Sequence, residues 1–327
     1  MKEHISWKHV EEARERLDGK VRRTAVMTCS AIDAISDGKV FFKCENLQRT
    51  GSFKFRGATN AVASLSKQER ERGVVTHSSG NHGQALALAA RLHDVRAFVV
   101  MPEGAPAVKR SAAEGYGAEV ISCCPTYSCR EETTAEVIGK MGAVFVHSHD
   151  DPRVIAGQGT AAVELVEEVG DLDAILVPVG GGGLVAGTAI ALSRLLPKAK
   201  VIGCEPSGAG DAYKSMESGR RITDFIPKTI ADGLRTPLGE QSFEIIRKLV
   251  HEILLVSEEE IVDAMRLVWE RMKLLIEPSS AVAVAPLLIG GSPSPFRDRR
   301  VGVILSGGNV DCGPFFEALK GSEHRFG

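Results

Sequence analysis

Gly51-Ser52-Phe53-Lys54-Phe55-Arg56-Gly57-Ala58 decides how this chain is read. A lysine follows a glycine turn and opens a run in which Phe53, Phe55, Ala58, Ala61, Val62 and Leu65 recur with helical spacing. A buried ammonium is costly unless it is paired or neutralised. Two readings stay open on this stretch alone. Lys54 is a structural or surface lysine, or it is a partly desolvated amine that forms a Schiff base with an aldehyde.

Outward from Lys54, strand and helix signals alternate. Residues 7–17 have helical spacing, and Val40–Lys43 reads as a short strand. After a charged connector, Ser66–Gly73, short apolar strands at 74–76, 97–101, 119–122 and 144–146 are separated by helical runs. The second half repeats the pattern, with strands at 174–179, 201–204, 253–256 and 301–305. Ser257-Glu258-Glu259-Glu260 is a capped start for a helix running to about Leu275. The pattern predicts an α/β fold with mainly parallel sheets flanked by helices. Two domains are expected: a small mobile one over 73–147, and a large one from 1–72 and 148–327.

The 327 residues carry a formal net charge of −2, with 43% hydrophobic and 25% charged residues. That balance gives no reason to expect nucleic acid or an anionic membrane. No apolar run approaches the ~18 residues of a membrane span. Met1-Lys2-Glu3-His4 is too polar to open a signal peptide. The seven cysteines (29, 44, 123, 124, 129, 204 and 312) contain no CxxC pair. They read as reduced thiols of a cytoplasmic protein.

Three further stretches each follow an apolar strand. Gly180-Gly181-Gly182-Gly183, continuing into Leu184, lets backbone N–H groups close on a phosphate at a helix start, or is simply a tight turn. It is neither GxGxxG nor a P-loop. Ser78-Ser79-Gly80-Asn81-His82-Gly83 offers hydroxyls, an amide and backbone donors, or is a polar helix cap. His82 reads as a structural histidine and is left out of the catalytic set. Ser306-Gly307-Gly308-Asn309 permits close approach of a flat ligand, or is another turn. Pyridoxal 5′-phosphate (PLP) would use a lysine, a phosphate cradle and hydroxyl or amide partners together.

These motifs, in this order, resemble the serine racemase and serine/threonine dehydratase family of PLP enzymes, of the type II, tryptophan-synthase-β-like fold. Thr76–Gln84, Ile155–Thr160 and Trp269–Pro278 are similar to segments of eukaryotic serine racemases. The resemblance implies that Lys54 carries the cofactor and is the base on one face. Ser79 is then the second acid/base on the other. Asn81 contacts the ring hydroxyl, Gly180–Leu184 bind phosphate, and Ser306 meets the pyridine nitrogen. The implied activity is interconversion of L- and D-serine, with dehydration of serine or threonine giving, from serine, pyruvate and ammonia.

The resemblance also implies a divalent cation, Mg²⁺ or else Ca²⁺ or Mn²⁺, at Glu205, Ala209 and Asp211. An allosteric ATP site at a homodimer interface would involve Ser30, Arg49, Thr50, Gln84, Tyr116, Lys273 and Asn309. Arg49 stands where the family has lysine. No second regulatory domain of the threonine dehydratase kind is expected. The substrate side would comprise Ser78, Ser79, Asn81, His82, Arg130, His149, Arg235 and Thr236. A cationic Arg235 or a protonated His149 would favour a second carboxylate. The alternatives kept open are therefore a 3-hydroxyaspartate dehydratase or aspartate racemase, and a catalytically silent amino-acid or nucleotide binding protein.

Overall fold

The computed structural model describes residues 5–105, 107–288, 294–311, 313, 316 and 317. Cys312 and Met1–His4 lie outside them. The chain opens with α1 (Trp7–Leu17), β1 (Val26–Met27), α2 (Ser30–Ser36) and β2 (Lys39–Cys44). It continues through α3 (Lys54–Ala63), α4 (Lys67–Arg72), β3 (Val74–His77), α5 (Asn81–Leu92) and β4 (Ala97–Pro102). Next come α6 (Ala107–Gly115), β5 (Glu119–Cys123), α7 (Tyr127–Met141), β6 (Val144–Phe145) and α8 (Pro152–Val169). The last part holds β7 (Ala174–Pro178), α9 (Gly183–Leu195), β8 (Lys200–Pro206), α10 (Asp211–Ser218) and α11 (Glu240–Leu249). It closes with β9 (Glu252–Val256), α12 (Glu258–Leu267), α13 (Pro278–Ala281) and β10 (Arg300–Leu305).

Met1–Arg22 and Lys54–Gln158 make one compact unit, and Arg23–Phe53 and Gly159–Gly327 the other. The first holds a four-stranded sheet, β5-β4-β3-β6, with every pair parallel. The second holds a six-stranded sheet, β1-β2-β10-β7-β8-β9, parallel except for β1 against β2. Parallel sheets carry helices on both faces, so their strands are near-continuous apolar runs. All five residues of β7 are accordingly buried. This is the α/β class that the alternating pattern predicts.

The boundaries differ from the 73–147 read off the sequence. Residues 54–72 and 148–158 group with the four-stranded sheet. The cause is packing: Phe55, Ala58, Ala61 and Val62 of α3 share a core with Ala85–Ala90 of α5, and Val146 and Val154 join it.

The charged connector Ser66–Gly73 is helix α4. Ser66 Oγ accepts from Glu69 N–H, and Glu69 Oε2 accepts from Ser66 N–H, a reciprocal cap that holds a short polar helix. The helix expected to reach Leu275 leaves regular geometry earlier. After Leu267 it widens into a π-turn over Val268–Met272, and Lys273 terminates it at φ +60°. α8 runs over 18 residues from Pro152 to Val169.

One reading of the cysteines is corrected. Cys124 and Cys129 are joined in a disulfide, with Cα atoms 5.8 Å apart. Cys29, Cys44, Cys123 and Cys204 are free and buried, as the reduced reading has it. The pair escaped notice because its spacing of five matches neither a CxxC motif nor a long-range framework.

Candidate active site

In the four-stranded unit, β3 is buried over Val74–Thr76 and ends at His77. The chain then turns through Ser78-Ser79-Gly80 into α5. Gly80 N–H donates to Ser78 Oγ at 3.3 Å within the turn, and α5 starts with no side-chain cap, contrary to the plain reading of this stretch as a polar helix cap. A Cβ on Gly83 would stand 2.5 Å from Ser78 O, so only glycine allows α5 to pack this close to the loop. Ser79 and Asn81 are half-buried at the mouth of this turn.

Lys54 is the first residue of α3 and is half-buried. Its Nζ donates to Ser148 O at 2.8 Å. Lys43 makes the contrast. It is fully buried, with its Nζ on Glu164 Oε2 and Thr24 O, both at 2.6 Å, which is the structural fate of a core lysine.

The Ser148 carbonyl is set by its own loop. His147 Nδ1 accepts from the N–H groups of His149 (3.3 Å) and Asp150 (2.9 Å). The His149 ring lies edge-on to His147, with centroids 4.4 Å apart. His82 is buried, and its Nε2–H donates to Val146 O at 3.3 Å. Burial, and secondarily the Lys54 charge, push His82 down to about 3. Burial, with His147 and Lys54 adding to it, holds His149 well below the usual imidazole range. His77 and His147 are lowered for the same first reason. Burial thus disfavours the charged form of His82 and His149, the two rings most strongly lowered, and the Lys54 charge acts in the same direction on both.

In the six-stranded unit, β7 runs through Val179 into Gly180–Gly183. Gly182 sits at φ +86° and starts α9 with no side-chain cap. A Cβ on Gly180 would meet Leu234 Cα at 2.9 Å, and one on Gly182 would meet Ser242 Cβ at 2.8 Å. The backbone is held bare, and the first N–H groups of a 13-residue helix are left for an anion. Ser306, at the end of β10, is buried. Its carbonyl accepts Phe53 N–H at 2.9 Å, and Ser52 bridges Gly307. Glu277 Oε2 accepts Asn309 N–H at 3.2 Å, bracing the turn after Ser306.

A family model described as pyridoxal-phosphate dependent enzyme matches residues 17–307. The chain belongs to this family. A serine racemase of Dictyostelium discoideum is 49% identical over 321 residues, covering 96% of this chain and 98% of that one. A beta-hydroxyaspartate dehydratase of Paracoccus denitrificans is 48% identical over 299 residues, covering 91% and 94%. The crystal structure of the Dictyostelium serine racemase superposes with a TM-score of 0.90, at 48% identity over 94% of this chain and 99% of that one.

A PLP-dependent enzyme needs an amine, a phosphate cradle and partners for the ring. The residues here fit. Gly180 and Gly182 stand where a Cβ would collide, beside an uncapped helix start, and Lys54 presents a half-buried amine.

For a cation, Glu205 is buried and accepts Ala212 N–H and Tyr213 N–H, each at 2.9 Å. Asp211 Oδ2 accepts Leu238 N–H at 3.0 Å, while its buried Oδ1 has no partner. Burial pushes Glu205 up to about 8 and Asp211 up to about 6, the Asp211 charge adding to the former. An orphaned carboxylate oxygen beside a second buried carboxylate fits a hard cation completed by carbonyl and water oxygens. Among the described residues no group of three His, Cys, Asp or Glu could hold a metal.

Of the residues expected at a nucleotide site, Asn309 Nδ2 donates to Thr50 O at 2.7 Å. Arg49 Nε and Thr50 Oγ1 are buried without partners. Ser30 is exposed, and exposed Lys273 is turned onto Glu270 O. Gln84 and Tyr116 belong to the four-stranded unit, where Arg91 covers the Tyr116 ring at 5.7 Å.

On the substrate side, Arg235 is committed to Thr229 O through Nε (3.1 Å) and Nη2 (2.6 Å), with exposed Thr236 next to it. Arg130 is half-buried in α7, and its Nε has no partner. Sequence reasoning missed His147 and Ser148. The only local signal is the His-x-His spacing, which does not tell which ring folds the loop and which faces the site.

Proposed function

We propose that this chain is a PLP-dependent serine racemase that interconverts L- and D-serine and also dehydrates serine to pyruvate and ammonia. One observation carries the reading: Lys54 opens α3 half-buried, its amine on Ser148 O, in the unit that also carries the Ser79 turn. Racemisation needs two proton carriers, one for each face of the α-carbon. Lys54 binds the cofactor's aldehyde and serves as the base on one face. Ser79 holds the proton on the other. Asn81 orients the ring through its hydroxyl, Gly180–Leu184 bind the phosphate, and Ser306 meets the ring nitrogen. When bound, PLP supplies the electron sink that lowers the cost of the α-carbanion. Expulsion of the β-hydroxyl from serine is the competing outcome, and leads to pyruvate and ammonia.

In this proposal Glu205, Ala209 and Asp211 hold Mg²⁺ or a similar cation. The active form is a cytoplasmic homodimer, with ATP as an activator at the Thr50–Asn309 face. The proposed small domain moves to exclude water.

A second reading, dehydration of 3-hydroxyaspartate, is favoured by the likeness to the Paracoccus enzyme. Two observations weigh against it. Burial holds His149 well below the usual imidazole range, which disfavours a cation there, and two Arg235 donors are already engaged by Thr229 O. Product analysis separates the readings. With PLP and Mg²⁺, L-serine should give D-serine and pyruvate. If L-aspartate or L-threo-3-hydroxyaspartate is converted while serine is nearly inert, the substrate is a dicarboxylate and the serine reading fails.

A further inference from the structure

The bridge between Cys124 and Cys129 lies outside the machinery described so far. Cys124 follows β5, and Cys129 stands in the first turn of α7. Cys124 is exposed and Cys129 partly so. The turn between them is tightly organised. Cys124 N–H points at Cys129 Sγ (3.0 Å), and Thr126 Oγ1, capping the helix, accepts Cys129 N–H at 3.3 Å. Cys29, Cys44, Cys123 and Cys204 are all buried. Burial pushes the Cys44 thiol up to about 12 and raises that of Cys123. The thiolate is the reactive form, so these buried thiols are poor partners for exchange, and among the described cysteines the exposed pair is the one that meets reagents.

A bridge spanning a sequence separation of five removes little chain entropy compared with one closing a long loop. Its loss should leave the unit folded, so both redox forms can persist. What it holds is local. Tyr127, inside the bridged loop, stands edge-on to His77 at 5.9 Å. Arg130 follows Cys129 directly, with its Nε buried and unpartnered. His77 in turn closes β3 and leads into the Ser78–Gly83 turn.

We propose that Cys124 and Cys129 form a redox-modification site for a dithiol reductant, and that reduction loosens the start of α7 with Tyr127 and Arg130. A thiolate of the reductant attacks one sulfur, breaking the S–S bond and forming a mixed disulfide. The reductant's second thiolate then displaces the protein sulfur and the reductant leaves as its own disulfide. Two electrons and two protons end on Cys124 and Cys129. A disulfide of the same class reverses the reaction. The link to catalysis rests on the proposed function, whereas the redox site itself does not.

The test uses holoenzyme prepared without reductant. One sample is denatured and alkylated with iodoacetamide directly, another after dithiothreitol, and intact mass and peptides are compared. Two additional adducts after reduction, at Cys124 and Cys129, are expected. In the native protein, amide hydrogens of 124–130 should exchange several-fold faster once reduced, and Cys124→Ser should match the reduced form. Equal adduct numbers in both samples, extra adducts at other cysteines, or unchanged exchange would each overturn the proposal. Serine racemisation, read on both forms, should differ by about twofold or more, as expected when a site residue is displaced, and Cys124→Ser should lose that difference. A protein inert towards serine in both forms counts against the serine reading, while adducts and exchange still decide the redox site.

Discussion

The N–H of Phe53 donates to the carbonyl of Ser306 at 2.9 Å, and Gly308 N–H donates to Gly51 O at the same distance. With the Ser52–Gly307 bridge between them, the segment leading to Lys54 is laid antiparallel against the turn that ends β10. The two stretches are 253 residues apart in the chain (306 − 53). Their pairing fixes residues 51–53 against the residue proposed to face the ring nitrogen. Gly307→Ala tests the tie. Its Cβ would lie 2.7 Å from Glu277 Oε1, and Glu277 already holds Asn309 N–H. Overpacking at such a contact costs about 1–3 kcal/mol. The thermal midpoint should fall and PLP should bind more weakly, read by melting and by cofactor titration.

Lys54→Ala should remove the visible absorption of lysine-bound PLP. It should also cut racemisation by at least roughly 10²–10⁴-fold, the usual worth of a positioned acid/base group. A variant that keeps the band and the rate would take Lys54 out of the site.

Ser79→Ala should separate the two reactions. Racemisation should fall below detection, while elimination continues from the enantiomer whose α-hydrogen faces Lys54. Chiral chromatography alongside a pyruvate assay reads both. Undiminished racemisation would mean that Ser79 is not the second proton carrier.

Acid should destabilise the fold through its buried imidazoles. His82 takes a proton near 6.5 when unfolded but only near 3 in the native state. Between those values the unfolded chain binds more protons, so stability falls as pH drops from about 6.5 towards 3. The slope is about 1.4 kcal/mol per pH unit for one such histidine. Denaturant melts at pH 7, 6 and 5 should show it, and His82→Gln should flatten the dependence.

Mg²⁺ should raise the melting temperature through Asp211 Oδ1, the orphaned oxygen. Chelation should reverse the rise. Asp211→Asn should melt at the same temperature with and without the ion. A full Mg²⁺ response in that variant would move the cation elsewhere.

Much of this was written locally. The glycine run after Val179, the lysine opening an apolar helical stretch and the Ser257–Glu260 cap are encoded by neighbours a few residues apart, and each forms as its spacing dictates. Buried apolar strands alternating with helices determined the α/β class, because a parallel sheet must be covered on both faces. α4 was missed although its signal is equally local: in Ser66-Lys67-Gln68-Glu69 the charge density of a connector hid a reciprocal cap.

Tertiary structure alone decided the rest. Which sheet takes α3 depends on α5 packing against it. Whether Arg235 is free depends on a carbonyl six residues away. That His82 and His149 are lowered so far depends on burial, which no residue's identity reveals. The Cys124–Cys129 bond depends on a turn that brings two Cα atoms within 5.8 Å. A chain specifies its caps and its apolar period through adjacent residues, but the charge state and partners of a side chain are set by whatever the fold packs around it.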